Sequence, residues 1–437
     1  MRIGSGAGFA GDRVEPAVQL APAGVDDLVL ECLAERTIAL GQQRRLADPD
    51  LGHDPLLRTR FERLLPVAVA AGARVITNMG AAHPLRAGEV TREVMAEAGL
   101  TGRVAVLTGD DVLDRIDPGG PALEDGVPLA EHGEIVSANA YLGAEALLPA
   151  LDADVVITGR VADPSLFVAP IAQRMGWDLD DVPRTAAATL VGHVLECAGQ
   201  VTGGYYADPG VKDVPGLAEL GFPFADVAAD GSATIGKPAG SGGAVTVGTV
   251  REQLLYEVTD PTGYRTPDVV LDFREVRAER AGEDRVRIGG ARGRPRPEEL
   301  KVSVGYRAGH RAECGISYAG PGAADRARLA ADVVTERLRG TGLRVRADVL
   351  GAVGDPNGEC RLRVAAMAQD RAAAQVVCHE VESLYTNGPA GGGGVRTDVR
   401  EVVGIVSALI PRADVSTQVT TLEVPDATAR GRALPRG

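Results

Sequence analysis

Two short apolar segments of the sequence are each followed by an aspartate. Asp110 follows RVAVLTG (103–109), and Asp163 lies shortly after ADVVITG (153–159). A carboxyl group held in a closed pocket can exchange a proton at neutral pH, and two such groups can act as general acid and base. We therefore predict that Asp163 and Asp110, together with Glu196 in the segment LECAGQ, are the catalytic residues.

Other polar residues recur at the same position relative to apolar segments, and we expect them to bind substrate. These residues are Asp12, Arg13, Asn78, Asn139, Arg160 and, from the segment GGYYADP, Tyr205. Arg13 and Arg160 carry a fixed charge suited to an anionic end of the substrate. A single Asp or Asn in a loop is ordinary turn chemistry, but recurrence after successive segments favours one shared site.

The opening segment GSGAGFAGDR contains, from Gly6, the spacing of a dinucleotide-binding loop. Glu31 stands where such a site needs an acidic residue for the ribose. However, Asp12 follows the last glycine and would place negative charge beside a pyrophosphate. A tight turn that serves another ligand is the favoured interpretation, and an NAD(P)-dependent oxidoreductase remains the alternative.

A second glycine-rich segment, NGPAGGGGVR, contains the consecutive residues Gly391, Gly392, Gly393 and Gly394. Glycines leave backbone N–H groups free to line a concave anion site. We predict that these groups bind a substrate carbonyl or carboxylate. A flexible hinge is the structural alternative.

The segment GHVLECAGQ places His193, Glu196 and Cys197 on one face of a helix, at i, i+3 and i+4. Three such side chains could ligate a metal, but no further zinc-type spacing accompanies them. Proton transfer by Glu196 is the favoured role, and no metal is predicted.

The elements that would position these residues alternate between short β-branched runs and helical segments. This alternation predicts an α/β fold, with an N-terminal Rossmann-like, mostly parallel sheet covered by helices on both faces over residues 1–260. After the turn-rich segment DPTGYRTPDV, residues 274–437 predict a smaller α+β domain that carries the glycine-rich loop. A ferredoxin-like arrangement is one interpretation of that domain. Ligands of open α/β sheets bind at the carboxyl ends of the strands, where the residues above would gather.

Composition excludes several classes of protein. The net charge of −14 opposes binding to nucleic acid or to an anionic membrane surface. No segment approaches the roughly 20 apolar residues of a membrane span, and no secretory leader is recognised. The five dispersed cysteines fit reduced thiols, so we expect a cytoplasmic protein. Neither a G-x-S-x-G elbow nor a P-loop occurs.

The segments GSGAGFAGDR, CLAERT, ITNMGAAHP, SANAYLGA, TGRVADPSL, LECAGQVTGGYYADP, EQLLYEVTDP and NGPAGGGG occur in this order. Together they resemble the AtuA-type acyclic terpene utilisation family over nearly the whole chain. His83 in GAAHPL departs from the more polar or glycine-rich loop expected there. The resemblance implies an association with acyl-CoA metabolism and a separate small ferredoxin-fold AtuA-like partner, in a homo- or hetero-oligomer.

These observations favour a lyase or isomerase. The most concrete form is a hydratase/dehydratase acting on a branched unsaturated acyl-CoA, or a related carboxylic acid, by general acid/base catalysis. No cofactor is implied beyond a CoA thioester as substrate. The alternatives are the NAD(P)-dependent oxidoreductase and a non-catalytic subunit that binds an acyl ligand or acts as a scaffold.

Overall fold

The computed structural model describes residues 1–351, 355 and 358–425 of the chain. These residues form two compact units. The first unit comprises Met1–Gly126, Val136–Val304 and the described part of Val406–Gly437. The second comprises Val127–Ile135 and Gly305–Ile405. The chain therefore leaves the first unit and later returns to it.

The helices begin and end at well-defined residues. They are α1 (Glu15–Leu20), α2 (Glu35–Ala47), α3 (Leu57–Ala71), α4 (Pro84–Glu97), α5 (Leu129–His132), α6 (Ala144–Leu147), α7 (Ser165–Met175), α8 (Val182–Leu195), α9 (Val247–Leu255), α10 (Ala323–Arg337) and α11 (Arg371–Asn387). Within the described residues, no helix combines the length and hydrophobicity that crossing a membrane requires.

The strands are mostly short in the first unit and long in the second. They are β1 (Arg2–Ala7), β2 (Asp27–Leu30), β3 (Arg74–Thr77), β4 (Gly102–Thr108), β5 (Ile135–Ala140), β6 (Val155–Thr158), β7 (Phe224–Val227), β8 (Ala233–Gly236), β9 (Tyr264–Arg265), β10 (Val270–Asp272), β11 (Arg277–Gly282), β12 (Arg285–Gly289), β13 (Arg292–Arg294), β14 (Glu299–Ala319), β15 (Arg344–Gly351), β16 (Glu359–Ala368), β17 (Gly393–Pro411) and β18 (Gln418–Val424).

The first unit is built on a large sheet with the strand order β11-β12-β8-β7-β1-β2-β3-β6-β4-β18. The five central strands, from β1 to β4 in this order, pair in parallel. Antiparallel pairs flank them, β1 with β7 on one side and β4 with β18 on the other. The predicted α/β class, with a large sheet and packed helices, is confirmed.

Successive residues of the central strands belong to two separate cores, so both faces of the sheet are covered. Val155 and Ile157 of β6 lie in a core that includes residues of α3 and α4. Val156 between them lies in a core that includes residues of α7 and α8. Because side chains alternate along a strand, the β-branched sequence VVIT supplies both cores at once.

The connections after β3 and β6 diverge at the carboxyl edge of the sheet. The chain after β3 enters α4 on one face, and the chain after the neighbouring β6 enters α7 on the other. Such a divergence opens a crevice where open α/β sheets bind ligands. Gly80 allows close approach here, since a Cβ at this position would lie 2.4 Å from the carbonyl oxygen of Thr158.

The second unit follows the element order β14-α10-β15-β16-α11-β17, and its sheet has the order β15-β16-β14-β17. Alternate residues of β16 are buried against the two helices. The apolar face of α11 that the sequence pattern predicts, Val377, Val381 and Leu384, lies in this core. Asp370 caps the helix by accepting a hydrogen bond from Ala373 N at 2.8 Å.

Candidate functional site

Polar side chains from four neighbouring strand ends meet at the carboxyl edge of the parallel strands. The carboxyl group of Glu31, after β2, accepts a hydrogen bond of 2.8 Å from the side-chain amide of Asn78, after β3. Asp110, after β4, accepts 2.9 Å hydrogen bonds from the amide of Asn139 and from the backbone N–H of Arg160, after β6. We call these five residues the rim cluster. Burial raises the pKa of Asp110 to about 6 and that of Glu31 well above its usual range.

Arg160 is almost completely buried, and each nitrogen of its guanidinium donates at least one hydrogen bond within the protein. It donates to the carbonyl oxygen of Val161 at 2.7 Å and 3.1 Å, and to that of Leu33. It also forms an ion pair with Asp163, and it lies 4.4 Å above the ring of Tyr141. These contacts hold the guanidinium against the Asp163 carboxylate, and binding of a substrate anion by Arg160 stays a prediction.

Asp163 stands just before α7 at the mouth of the crevice, where 34 % of its side chain is exposed. Burial raises the pKa of its carboxyl group, and the neighbouring Arg160 guanidinium opposes this shift. The net pKa is above the ordinary value of an aspartate. Asp163 thus combines access to the pocket with a fixed orientation.

His193 and Glu196 form a second, buried pair at the carboxyl end of α8. The imidazole Nδ1 lies 2.8 Å from Glu196 Oε1, and Nε2 lies 3.3 Å from the carbonyl oxygen of Leu254. Burial raises the pKa of Glu196 to about 7, although His193 opposes the shift. The other carboxyl oxygen, Oε2, is buried and has no hydrogen-bond partner among the described residues. A group with this pKa can both give and take a proton near neutral pH.

Aromatic rings fix the orientation of the His193 imidazole. Its centroid lies 5.2 Å from that of Tyr264 and 5.4 Å from that of Phe273. The side chain of Gln253 donates a 2.9 Å hydrogen bond to the His193 carbonyl oxygen. The imidazole is therefore held in one position relative to Glu196.

A pocket of about 550 Å³ opens beside these groups within the first unit. Its lining combines apolar and charged side chains. The lining residues are Glu35, Leu123, Tyr141, Ala162, Asp163, Pro164, Glu257, Tyr264, Arg265, Thr266, Pro267, Pro297, Glu299, Leu300, Lys301 and Leu409. Tyr264 connects the pocket to the buried pair, because it lines the wall and its ring also packs on His193. The electrostatic field of Asp163 reaches Glu196 and contributes to raising its pKa.

The pocket also contains a polar group that the sequence patterns did not identify, formed by Glu35, Tyr141 and Lys301. Tyr141 donates a hydrogen bond to the carboxylate of Glu35, and Lys301 Nζ lies 3.1 Å from the same oxygen. Burial by itself raises the pKa of Glu35, but these neighbours outweigh burial and lower the pKa to about 2. Glu35 belongs to CLAERT and Tyr141 to SANAYLGA, so both stand inside motifs that carried the family resemblance.

Backbone groups of the opening glycine loop already form hydrogen bonds within the protein. The carboxylate of Asp12 accepts a 2.8 Å hydrogen bond from Gly8 N, and the guanidinium of Arg60 donates to the Asp12 carbonyl oxygen at 2.8 Å. A Cβ on Gly8 would lie 2.3 Å from the carbonyl carbon of Cys197. Gly8 is therefore required for close approach to the residues after α8, next to Glu196.

The remaining predicted residues lie apart from the pocket lining. Arg13 is exposed and donates a 2.7 Å hydrogen bond to the carbonyl oxygen of Ala218. Tyr205 is 89 % exposed and lines a separate cavity of about 480 Å³ together with Gly8 and Asp12. Neither side chain lines the pocket that contains Asp163.

The tetraglycine segment belongs to the second unit. A Cβ on Gly392 would lie 2.8 Å from Ile316 and 3.2 Å from the ring of Tyr318, both in β14. Gly393 and Gly394 have no heavy atom within 4 Å of that position. The segment is thus packed at one glycine and open at the next two.

Among the described residues, no three His, Cys, Asp or Glu side chains converge closely enough to hold an ion. This includes His193, Glu196 and Cys197, which follow one another at the end of α8.

Fold and site together define an α/β protein with a pocket at the carboxyl edge of its sheet and a buried acid beside it. Residues 1–421 match the family described as "Acyclic terpene utilisation family protein AtuA", and the chain belongs to this family. No curated protein and no solved structure matches the chain.

Proposed function

We propose that this protein is a lyase or isomerase. Its most specific form is a hydratase/dehydratase that acts on a branched unsaturated acyl-CoA or a related carboxylic acid. The observation that carries the proposal is the Glu196 carboxyl group, buried on His193 with a pKa of about 7, beside a pocket lined by Asp163. Membership of an acyclic terpene utilisation family supports a branched, aliphatic substrate.

Hydration of a double bond next to a carbonyl needs a base that activates water and an acid that protonates the α-carbon. We assign the base to Asp163, because the Arg160 guanidinium stabilises its carboxylate form. We assign the acid to Glu196, which carries a proton below a pKa of about 7 and has a free oxygen among the described residues. Dehydration uses the same two groups in reverse. Asp110 is buried and accepts hydrogen bonds from the amide of Asn139 and the backbone N–H of Arg160. We assign it the role of holding these two residues in position.

The pocket has a suitable size and character for the acyl part of such a substrate. A volume of about 550 Å³ falls in the range of small-molecule sites. Leu123, Leu300 and Leu409 supply apolar wall for a branched chain, and Lys301 supplies a cation for a carboxylate or a polarised carbonyl. Binding of a carbonyl or carboxylate by the N–H groups of Gly391–Gly394, in the second unit, is a separate prediction.

The test is proton exchange with solvent. The protein is incubated in deuterated water with a panel of branched unsaturated acyl-CoA esters and free acids, and products are analysed by mass spectrometry. We expect deuterium at the α-carbon and turnover that Asp163→Asn and Glu196→Gln each abolish. Asp332→Asn and Glu382→Gln, both exposed in the second unit, serve as matched controls. Absence of exchange and turnover across the panel would contradict the proposal.

The two alternatives give different outcomes in the same experiments. An NAD(P)-dependent oxidoreductase would bind a nicotinamide nucleotide, although Asp12 already occupies the Gly8 N–H that a pyrophosphate would need. A calorimetric titration with NAD⁺ and NADP⁺ decides this. A non-catalytic acyl-binding or scaffold subunit would bind acyl ligands equally well with either catalytic substitution.

We also propose a cytoplasmic location and a complex with a separate small AtuA-like ferredoxin-fold protein, in a homo- or hetero-oligomer. The β-α-β-β-α-β order of the second unit supports a ferredoxin-like description of that unit as well. Co-purification with the partner protein, followed by light scattering, tests the assembly.

A further inference from the structure

Two cysteines of the second unit lie in direct contact. Cys314 stands in β14 and Cys378 in α11, and their Sγ atoms are 2.9 Å apart. Both side chains are buried in the core between the sheet and the helices, with exposures of 3 % and 6 %. They are 64 residues apart in the chain, so only the fold brings them together.

We propose that Cys314 and Cys378 are a modification site, at which a peroxide converts the two thiols into an intramolecular disulfide. A disulfide bond is about 2.05 Å long, so the sulfur atoms need to move by roughly 1 Å. Each thiol lies on a regular element, and a change in side-chain torsion accommodates such a movement more easily than a shift of the backbone.

The other three cysteines do not share this arrangement. Cys32 Sγ lies 2.8 Å from the guanidinium of Arg60, in the first unit. Cys197 is also in the first unit, and Cys360 lies in β16, where it stands opposite Tyr318 of β14. Among the described residues, none of these three sulfur atoms contacts another cysteine. The contact is therefore specific to one pair.

The chemistry requires a two-electron oxidant, for which we name hydrogen peroxide. One thiolate attacks the O–O bond, which breaks to give a sulfenic acid and release hydroxide. The second thiolate then attacks that sulfur, forms the S–S bond and displaces the sulfenic oxygen as water. Two thiols and one peroxide give one disulfide and two waters, so the sulfur atoms are oxidised and the peroxide oxygens reduced.

Burial limits the rate of this reaction. It raises the pKa of the Cys314 thiol, with a further increase from the adjacent Cys378, so the thiol is protonated at neutral pH. Because the thiolate is the nucleophile, disulfide formation should be slow at pH 7 and faster as the pH rises.

The bond would connect the two elements that frame the tetraglycine segment. Helix α11 runs into this segment through Asn387, and Gly392 packs against Ile316 and Tyr318 on β14, the strand that carries Cys314. Oxidation would lock α11 onto β14 and restrict the loop that follows it. The inference stands independently of the proposed catalytic function.

The experiment uses the full-length, fully reduced protein. It is treated with hydrogen peroxide at pH 7 and at pH 8.5, unfolded in the presence of an alkylating reagent and digested without reductant. Mass spectrometry should detect a peptide pair joined through Cys314 and Cys378, lighter by two hydrogens than the separate peptides. The cross-link should form several-fold faster at the higher pH and disappear with dithiothreitol.

Variants and a stability measurement complete the test. Cys314→Ser and Cys378→Ser should each abolish the cross-link, whereas Cys360→Ser should leave it intact. Closing a loop of this length should raise the midpoint of thermal unfolding of the second unit by about 5 °C or more. The proposal is overturned if both thiols are still alkylated after prolonged peroxide treatment at pH 8.5, or if either joins another cysteine. Peptide mapping of the wild-type protein decides this even if a serine variant fails to fold.

Discussion

The imidazole of His193 and the carboxyl group of Glu196 lie one helical turn apart at the end of α8, with 2.8 Å between Nδ1 and Oε1. Both groups are buried, and the ring of Tyr264, which packs on His193, lines the pocket that contains Asp163. A buried acid with one oxygen fixed by a histidine and the other unpartnered among the described residues is suited to deliver a proton.

Glu196→Gln should lower kcat by about 10²–10⁴-fold, because the amide keeps the contact with His193 but cannot donate an acidic proton. In the wild-type protein the acid must be protonated, so kcat should fall as the pH rises through about 7, the pKa of Glu196. Rate measurements between pH 5 and 9 check both points. An unchanged rate in this variant, or the same loss in Glu382→Gln, would contradict the assigned role.

Asp110→Asn should reduce the pH dependence of stability. Burial raises the pKa of Asp110 from 3.8 to about 6 in the folded protein, so its protonated form favours folding. This contribution is fully present below pH 3.8 and is lost as the pH rises through about 6. The full loss is on the order of 3 kcal/mol, of which about 2 kcal/mol falls between pH 4.5 and 7.5. Urea unfolding at pH 4.5 and pH 7.5 should give a smaller difference in the variant than in the wild type or in Asp332→Asn.

Arg160→Met should destabilise the first unit by about 3–5 kcal/mol. The substitution keeps an unbranched side chain but leaves the carbonyl oxygens of Val161 and Leu33 without their donor. It also removes the partner of Asp163. Arg13→Met, at an exposed position, should change the free energy of unfolding by less than about 0.5 kcal/mol. Equal effects in chemical denaturation would mean that the buried contacts of Arg160 contribute nothing.

Gly8→Ala should lower both stability and activity. The new Cβ would stand 2.3 Å from the Cys197 carbonyl carbon and 2.6 Å from the Glu196 carbonyl oxygen, so the end of α8 must shift. We expect a loss of about 1–3 kcal/mol. Gly282→Ala, where the nearest atom is at 3.6 Å, is the matched control. If Gly8→Ala retains full turnover, the position of Glu196 is not important for the reaction.

Local patterns in the sequence predicted the strand ends well, because they depend on neighbouring residues. The β-branched runs before Asn78, Asp110 and Arg160 identify buried strands, and parallel strands end at a common edge. The i, i+3 spacing likewise placed His193 and Glu196 on one helix face, where they are in contact.

Contacts between segments that are distant in the chain could not be predicted from sequence patterns. Tyr141 and Glu35 are 106 residues apart, and nothing in either segment indicates that one hydrogen-bonds the other. The charge of Arg160 predicts a clamp for substrate, but it does not indicate that backbone carbonyl groups from two loops accept hydrogen bonds from its donors. The N–H of Gly8 is likewise taken by Asp12, which glycine spacing alone does not indicate.

Strand β18 pairs with β4 over Gln418–Val424, joining the end of the described chain to a strand formed more than three hundred positions earlier. During synthesis the ribosome therefore releases β4 long before its neighbour exists. Until then the edge of β4 that pairs with β18, at Val104 and Val106, lacks its partner strand. Leu422, which packs near Gly88 of α4, is also not yet in place. Until β18 is made, this open edge of the sheet can pair with another copy of the chain, so late synthesis of β18 prolongs the risk of aggregation.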